Sequence, residues 1–182
     1  CNIAGSRRFK VGSVRDHVLG FRGVNGRGEV IKSGGVVVKN VTGYDLSKLM
    51  CGSYGTLIAL TEITFKVLPT PEESRTLIIH NQKVEIAATL LDRSTNSSND
   101  ISGAVFFPNE PKIHGFKTNL ENIFKLNDLK YEGSILAIRF EGSKSSIDQR
   151  INNLIQELKI KNLKLSKLEI HQSEIFWNKI KA

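Results

Sequence analysis

Alternating apolar and polar positions predict short strands joined by tight turns in the first 70 residues. Val18 to Val24 and Glu29 to Lys32 are predicted strands on either side of the sequence Asn25-Gly26-Arg27-Gly28. Asn-Gly sequences adopt positive φ angles at little cost, so this segment predicts a hairpin turn. Asp45 to Met50 is a predicted short helix, in which Asp45 is a suitable N-cap and Gly52 a suitable stop.

The segment from Thr56 to Leu68 predicts a longer strand. It is rich in β-branched residues, and its apolar positions are Ile58, Leu60, Ile63, Phe65 and Val67. This pattern is typical of a strand that is buried on at least one face.

The pattern changes after Pro69-Thr70-Pro71, where strands begin to alternate with amphipathic helices. The predicted strands are Thr76 to His80, Ile101 to Phe107, Ser134 to Glu141 and Leu163 to Ile170. Two β-α-β units in about 100 residues predict a ferredoxin-like α+β sheet with its helices on one face. We therefore expect two domains, residues 1–72 and 73–182.

Four helices are predicted in the second domain. The first is capped by Asn81 and runs to about Arg93, with inward positions at Val84, Ala87, Ala88 and Leu91. The second lies around Leu120 to Leu126. The third follows the capping-box sequence Ser145-Ser146-Ile147-Asp148 and buries Ile147, Ile151, Leu154, Ile155 and Leu158. The fourth spans Gln172 to Ala182, where Phe176 and Trp177 are predicted core residues.

Composition excludes several classes of protein. The 182 residues are 40% hydrophobic and 24% charged, which is ordinary for a globular chain and unlike a disordered, collagenous or disulfide-rich one. No apolar run approaches the ~18 residues that cross a bilayer, so no transmembrane segment is predicted. The chain starts at Cys1 and its only methionine is Met50, from which we expect an internal part of a longer protein.

The net charge of +8 leaves a binding function open. Arg7, Arg8, Lys10 and Arg15 could form a basic patch for nucleic acid, which would make the chain a cofactor-free binding module. However, no basic run exceeds two residues, and the aromatic interleaving of single-strand binders is absent. A solvated lysine-rich surface is the favoured interpretation, and no nucleic-acid partner is expected.

Two glycine-rich segments carry the candidate chemistry. Gly52-Ser53-Tyr54-Gly55-Thr56-Leu57 leads into the long strand, and its backbone N–H groups could form an anion nest for a pyrophosphate or a flavin edge. Ala4-Gly5-Ser6-Arg7-Arg8, followed by Gly12, could contact a phosphate. A plain tight turn and a plain surface turn are the respective alternatives.

The histidines and cysteines predict no metal site. His80, His114 and His171 are scattered without metal-ligand spacing, and each is expected at a surface or strand end. Cys1 and Cys51 are too few for a disulfide framework or a zinc site. Tyr44 and Asp45 could lie near a ligand, although helix capping is sufficient to explain Asp45.

These segments together resemble a known flavoprotein family. The motifs are VRDHVLG, the Asn-Gly-Arg-Gly-Glu-Val hairpin, KNVTGYDLSKLMCGSYGTL and TEITFKVLP, with looser likeness in ISGAVFFPNEP, LAIRFEGS and FWNKI. In this order they resemble the second half of the FAD-binding domain of the vanillyl-alcohol-oxidase/p-cresol-methylhydroxylase (PCMH) family, and within it the glycolate oxidase type. The sequence departs from the family at Ile58, where glycine is usual.

The resemblance implies a cofactor site built from two segments. The residues that match FAD-contacting positions of the family are Cys1, Asn2, Ile3, Ala4, Gly5, Gly12, Tyr54, Gly55, Thr56, Leu57, Ile58 and Leu60. The family's pyrophosphate-gripping glycine loop would lie before Cys1. Residues 73–182 correspond to the cap domain that shapes the substrate site. No catalytic residue is assigned, and a covalent link from His17 to the flavin is the less favoured possibility.

The resemblance also implies an activity and partners. The implied protein is the FAD-binding subunit of a flavin-dependent 2-hydroxy-acid (glycolate) oxidase, which accepts a hydride and passes electrons to a partner. A non-catalytic subunit that binds FAD or supports assembly is the alternative. The implied partners are a paralogous FAD subunit and an iron-sulfur subunit. The implied location is the cytoplasm or the inner face of the membrane.

Overall fold

The computed structural model describes residues 2–39, 43–109, 125 and 133–180, and it divides the chain into two compact units. Unit 1 is Cys1–Thr70 and unit 2 is Pro71–Ala182. The division falls in the Pro69-Thr70-Pro71 segment, where proline restricts the backbone and interrupts regular structure.

Unit 1 holds an antiparallel sheet with short helices around it. Its described elements are α1 (Arg8–Val11), α2 (Val14–His17), β1 (Val18–Asn25), β2 (Val30–Gly34), α3 (Leu46–Met50) and β3 (Ile58–Phe65). The strand order is β2-β1-β3, with β1 in the centre. The predicted cap of α3 is confirmed, because the Asp45 carboxylate accepts a hydrogen bond from the Lys48 N–H at 3.1 Å.

The predicted hairpin is confirmed, but its turn has a different geometry. Val24 pairs with Val30, and the Gly28 N–H donates to the Asn25 carbonyl at 3.0 Å. The positive φ lies at Gly28, at +80°, and not at the Asn-Gly pair. Asn25 contributes through its side chain instead, since its Oδ1 accepts from the N–H groups of Arg27 and Glu29.

The predicted burial of β3 is wrong beyond its first residue. Ile58 is buried, whereas Leu60, Ile63 and Phe65 are each more than 40% exposed. The pairing with β1 shifts at Thr61, where Arg22 faces Glu62 and Gly23 faces Leu60. This irregularity accounts for the break in alternation between Leu60 and Ile63. The described residues therefore leave a large part of each of these side chains exposed.

Unit 2 has the predicted ferredoxin-like topology. Its described elements are β4 (Glu73–His80), α4 (Val84–Thr95), β5 (Gly103–Phe107), β6 (Ile135–Gly142), α5 (Lys144–Glu157), β7 (Leu165–Leu168) and α6 (Ile170–Lys179). The strands form an antiparallel sheet in the order β5-β6-β4-β7. Two β-α-β segments produce this order when each helix returns the chain across the same face. The α+β fold class is therefore confirmed.

The expectation that all helices lie on one face of this sheet is wrong. One core cluster joins the sheet to α4 and α5, through residues such as Leu77, Leu90 and Ile151. A second cluster on the opposite face joins Ile78, Leu168, Phe176 and Trp177, so α6 covers that side. Amphipathic spacing predicts that a helix packs against a sheet but not against which face. The predicted burial of Phe176 and Trp177 is confirmed.

Helix starts in unit 2 differ from the predicted caps. Asn81 has a φ of +60° and lies before the helix, whose N-cap is Lys83. Within α4, Ala87 and Leu90 are buried, Leu91 is partly buried, and Val84 and Ala88 are exposed. The N-cap of α5 is Ser143, two residues before the predicted capping box at Ser145. Serine is a suitable N-cap at either position, so the sequence alone did not fix where this helix begins.

Two further expectations concern a helix around Leu120 to Leu126 and the absence of a transmembrane segment. The predicted helix around Leu120 to Leu126 falls on residues outside the described ranges, as does His114. Over the part of the chain that the structure describes, we find no helix with the length and hydropathy needed to span a bilayer.

Candidate functional site

A groove in unit 1 brings four of the predicted cofactor residues together. It has a volume of about 390 Å³ and is lined by Ile3, Ala4, Gly5, Arg7, Arg8, Val11, Gly12, Ser13, Val14, His17, Phe65 and Lys66. The charged side chains among these described residues are basic, and no carboxylate lines the groove. A concave surface with this charge attracts an anionic ligand.

Gly5 and Gly12 have different structural roles in the groove. A side chain at Gly5 would meet no atom within 4 Å, so the backbone there is open to a ligand. Gly12 has a φ of +87°, and a Cβ there would lie 2.9 Å from Asp16 Oδ2. Gly12 therefore leaves room for the Asp16 carboxylate, a requirement of the fold that is independent of any cofactor.

The Asp16 carboxylate caps the start of α2. Its Oδ2 accepts hydrogen bonds from the Ser13 N–H at 2.7 Å and from Ser13 Oγ at 2.8 Å. These bonds, with smaller contributions from Arg15 and Lys48, lower the pKa of Asp16 below its ordinary value of 3.8. The backbone hydrogen bond from Lys48 likewise lowers the pKa of Asp45.

We expect unit 1 to lose stability in acid because of these two carboxylates. A lowered folded-state pKa contributes stability that is present above the ordinary value of 3.8 and is lost as the pH falls through the folded value. Thermal melting of the full-length protein between pH 2 and pH 5 should show this loss, and Asp16→Asn should reduce it. An unchanged pH dependence in Asp16→Asn would contradict the role of the cap.

His17 connects two walls of the groove. Its Nε2 lies 2.7 Å from the carbonyl oxygen of Val11, and its Nδ1 lies 3.1 Å from that of Lys66. Both ring nitrogens therefore face backbone carbonyls. This arrangement disfavours a covalent flavin link at His17.

The second predicted segment forms a left-handed turn. Tyr54 and Gly55 have φ angles of +54° and +79°, and the Thr56 N–H donates to the Ser53 carbonyl at 3.0 Å. Positive φ at both central residues is the signature of a type I′ turn. A side chain at Gly55 would meet nothing within 4 Å. Within the described ranges, no acceptor engages the N–H groups of Tyr54 and Gly55.

The two candidate segments meet at their beginnings. A Cβ on Gly52 would lie 3.5 Å from Asn2 Cβ. Asn2 Oδ1 also accepts a hydrogen bond from the Arg15 N–H at 3.1 Å, which fixes the start of the chain against α2. The structure therefore places the segment that begins at Asn2 and the 52–57 turn next to each other in unit 1.

The remaining predicted cofactor residues differ in how far their side chains are exposed. Leu57 and Leu60 are partly exposed and could contact a ligand. Ile58 is buried, and its Cγ1 would lie 2.8 Å from a Cβ on Gly23. Its side chain thus fills the space above Gly23, and only its backbone remains for a ligand. Cys1 lies outside the described residues.

A second, smaller cavity in unit 1 is lined in part by Tyr44 and Asp45, the two residues that the sequence placed near a possible ligand. It has a volume of about 140 Å³ and lies between α3 and the β1–β2 hairpin, with Ser33, Gly34, Ser47 and Lys48 among its lining residues. Ser47 is 2% exposed. The Asp45 cap located the start of this helix, but a cap does not specify which face of the helix lies inward, so the burial of Ser47 could not be predicted from it.

The histidines of unit 2 contribute no metal site among the described residues. His80 lies at the end of β4, one of the two expected positions, and it is buried, with its Nε2 2.9 Å from Ser166 Oγ. His171 is exposed on α6, as expected.

Comparison with known proteins identifies relatives of one class. The chain is similar to proteins named FAD-linked oxidoreductase and D-lactate dehydrogenase. Glycolate oxidase subunit GlcE from Escherichia coli (strain K12) is 58% identical over 77 residues, which are 42% of this chain and 22% of that protein. Glycolate oxidase subunit GlcD from Bacillus subtilis (strain 168) is 41% identical over 87 residues, 48% of this chain and 18% of that protein. The resemblance found in the sequence is confirmed.

A solved structure supports the same fold. Alkyldihydroxyacetonephosphate synthase matches with a TM-score of 0.57 at 20% identity, over 92% of this chain and 31% of that chain. No protein-family model matches the chain. The chain spans about a fifth of the length of the two glycolate oxidase subunits.

Proposed function

We propose that unit 1 forms part of the FAD site of a flavin-dependent oxidoreductase that acts on 2-hydroxy acids such as glycolate. The observation that carries this proposal is the basic groove that contains the open backbone of Gly5, together with the equally open backbone of Gly55 in the 52–57 turn. Since no side chain obstructs either glycine, a flat or extended cofactor can approach the backbone closely. The similarity to glycolate oxidase subunits and FAD-linked oxidoreductases supports FAD as that cofactor.

The described residues fit the two chemical parts of FAD. Arg7, Arg8 and Lys66 supply positive charge for a pyrophosphate, and the N–H groups of Tyr54 and Gly55 supply donors for its oxygens or for the flavin edge. The same proposed site also includes Cys1, Asn2, Ile3, Ala4, Gly12, Thr56, Leu57, Leu60 and the backbone of Ile58. When bound, the flavin supplies the hydride acceptor for the oxidation of a CH–OH group.

The rest of the proposal concerns the whole protein. Residues 73–182 form the cap that closes the substrate site in this proposal. We further propose that the protein assembles with a paralogous FAD subunit and an iron-sulfur subunit, and that its flavin passes electrons to these partners. The proposed location of this complex is the cytoplasm or the inner face of the membrane. The word "subunit" in the names of the two glycolate oxidase relatives supports a multi-subunit complex.

Flavin binding by matched glycine variants tests the cofactor site. Gly55→Trp in the full-length protein should weaken FAD binding by at least about tenfold, ~1.4 kcal/mol, because the indole fills the open approach to the turn. Gly28→Trp is the matched control, since Gly28 has a φ of +80° and a side chain there also meets nothing within 4 Å. Both variants carry the same backbone strain, so the difference between them reports on the site.

The measurement is flavin fluorescence quenching together with the absorbance spectrum of the purified protein. Equal FAD affinity in the two variants would contradict the placement of the site at Gly55. A full-length protein that binds no FAD would contradict the cofactor itself, and its partners would then become the route to its function.

A further inference from the structure

We propose that Asn25 is a site of intramolecular deamidation, in which the backbone nitrogen of Gly26 displaces the side-chain amide of Asn25. Asn25 ends β1, and Gly26 follows it as an exposed residue of the hairpin turn. Gly26 has no positive φ angle, and a Cβ there would meet nothing within 4 Å. The fold therefore does not require glycine at this position. What glycine provides here is a backbone nitrogen that no side chain shields.

Two backbone N–H groups activate the side-chain amide of Asn25 for attack. The N–H groups of Arg27 and Glu29 donate to Asn25 Oδ1 at 2.9 and 3.0 Å. Negative charge develops on Oδ1 when a nucleophile adds to Cγ, and fixed donors on that oxygen stabilise the charge, as in an oxyanion hole. The nucleophile is also available, because no hydrogen bond within the described ranges engages the Gly26 N–H.

The Glu29 side chain holds the leaving group. Its Oε2 accepts a hydrogen bond from Asn25 Nδ2 at 2.7 Å. The departing nitrogen takes up a proton and becomes positively charged, and a hydrogen-bonded carboxylate stabilises such a charge. The backbone keeps the two residues together, since the Asn25 N–H donates to the Glu29 carbonyl at 3.0 Å. The turn therefore places a stabilising group at each end of the reacting amide.

The reaction exchanges bonds without oxidation or reduction. A bond forms between the Gly26 nitrogen and Asn25 Cγ, and the bond between Cγ and Nδ2 breaks. Nδ2 leaves as ammonia with the proton of the Gly26 N–H, and the product is a cyclic imide, a succinimide. Water then opens this ring at either of its carbonyls. The result is an aspartate, or an isoaspartyl residue whose main chain runs through Cγ.

Both products weaken the β1–β2 hairpin. In the aspartate product an anionic oxygen takes the place of Nδ2 beside Glu29 Oε2, and the two like charges repel each other. In the isoaspartyl product the main chain gains a methylene group next to the pairing of Val24 with Val30. We therefore expect faster hydrogen exchange of the β1 and β2 amides in the modified protein.

Peptide mapping by tandem mass spectrometry, on full-length protein incubated at neutral pH, tests the proposal. Asn96 is the matched internal control, because it is exposed, precedes a serine and donates from Nδ2 to the Asp92 carboxylate at 3.0 Å. Among the described residues, no N–H group donates to Asn96 Oδ1. In the folded protein we expect Asn25 to deamidate at least about tenfold faster than Asn96. Gly26→Ala should keep the hairpin and remove most of this difference.

The denatured chain separates this site from the reactivity of any Asn-Gly sequence. Guanidinium chloride removes the hydrogen bonds at Asn25 and leaves the sequence unchanged. We expect Asn25 to react faster in the folded protein than in the denatured chain, and Glu29→Gln to slow the folded protein alone. A folded protein in which Asn25 reacts no faster than in the denatured chain would overturn the proposal, because the contacts would then protect the amide. Equal rates at Asn25 and Asn96 in the folded protein would also overturn it.

Discussion

Gly34→Ala should destabilise unit 1 by about 3 kcal/mol, the sum of a left-handed backbone and overpacking. Gly34 has a φ of +76° and pairs with Gly20 across the β1–β2 ladder. A Cβ there would overlap the Leu19 carbonyl and lie 2.6 Å from Gly20 Cα and 2.8 Å from Ser47 Oγ. Two of these neighbours are backbone atoms, so they cannot move without opening the ladder.

Gly28→Ala provides the matched comparison for this variant. Gly28 has a similar φ of +80°, but a Cβ there meets nothing within 4 Å. We expect it to cost about 1 kcal/mol, which is the backbone contribution alone. Hydrogen exchange of the β1 and β2 amides in the full-length protein measures both effects locally, with the β4 and β6 amides as an internal reference. Equal loss of protection in the two variants would show that the close packing at Gly34 is not significant.

The topology of unit 2 was predictable because its strands and helices carry strong periodic signals. Ile135 to Ile138 is a continuous apolar run in a central strand, and both of its faces are buried. Ile147, Ile151 and Leu154 recur at helical spacing and are buried together. The side of the sheet that α6 covers could not be predicted, since two apolar faces are equally suitable partners for one amphipathic helix.

The exposed apolar face of β3 shows a different limit. A strand that alternates apolar residues is expected to be buried, but burial requires a partner that the strand's own sequence does not specify. Leu60, Ile63 and Phe65 carry the apolar signal and lie exposed in unit 1. The alternation predicted the strand correctly and could not predict its environment.

The candidate site was predictable in its segments but not in its contacts. The glycine spacing identified the turn at Tyr54 and Gly55, and the structure shows an open left-handed backbone there. Gly12 was singled out for a ligand, whereas its missing side chain makes room for Asp16. The two carbonyls that face His17 come from Val11 and Lys66. His17 and Lys66 are 49 residues apart in the sequence, and their contact depends on how β1 and β3 pair. The identity of either residue alone does not reveal that pairing.

Trp177→Ala should have the largest effect on unit 2, with a loss of about 3 to 5 kcal/mol, as is typical of buried tryptophans. Trp177 is 2% exposed, and its ring packs edge-on against Phe176 with centroids 5.3 Å apart. The guanidinium of Arg139 lies 5.7 Å from the indole centroid. The indole Nε1–H also donates to Thr76 Oγ1 at 2.8 Å. The substitution thus leaves a cavity and removes the indole N–H that donates to the buried Thr76 hydroxyl.

Trp177→Phe separates these two contributions. It keeps most of the packing and removes the hydrogen bond to Thr76, so we expect a loss of about 1 to 2 kcal/mol from the missing bond. Thr76 Oγ1 and Ser74 Oγ also contact Ser173 Oγ, at 2.8 and 3.2 Å, so the indole belongs to a buried polar network between β4 and α6.

Because Trp177 is the only tryptophan, urea unfolding should be followed by circular dichroism. A loss below about 1 kcal/mol in Trp177→Ala would contradict the core position of α6, since large truncations in a packed core cost more. An equal loss in both variants would place the stabilisation in the hydrogen bond, because phenylalanine retains the apolar contacts that alanine removes.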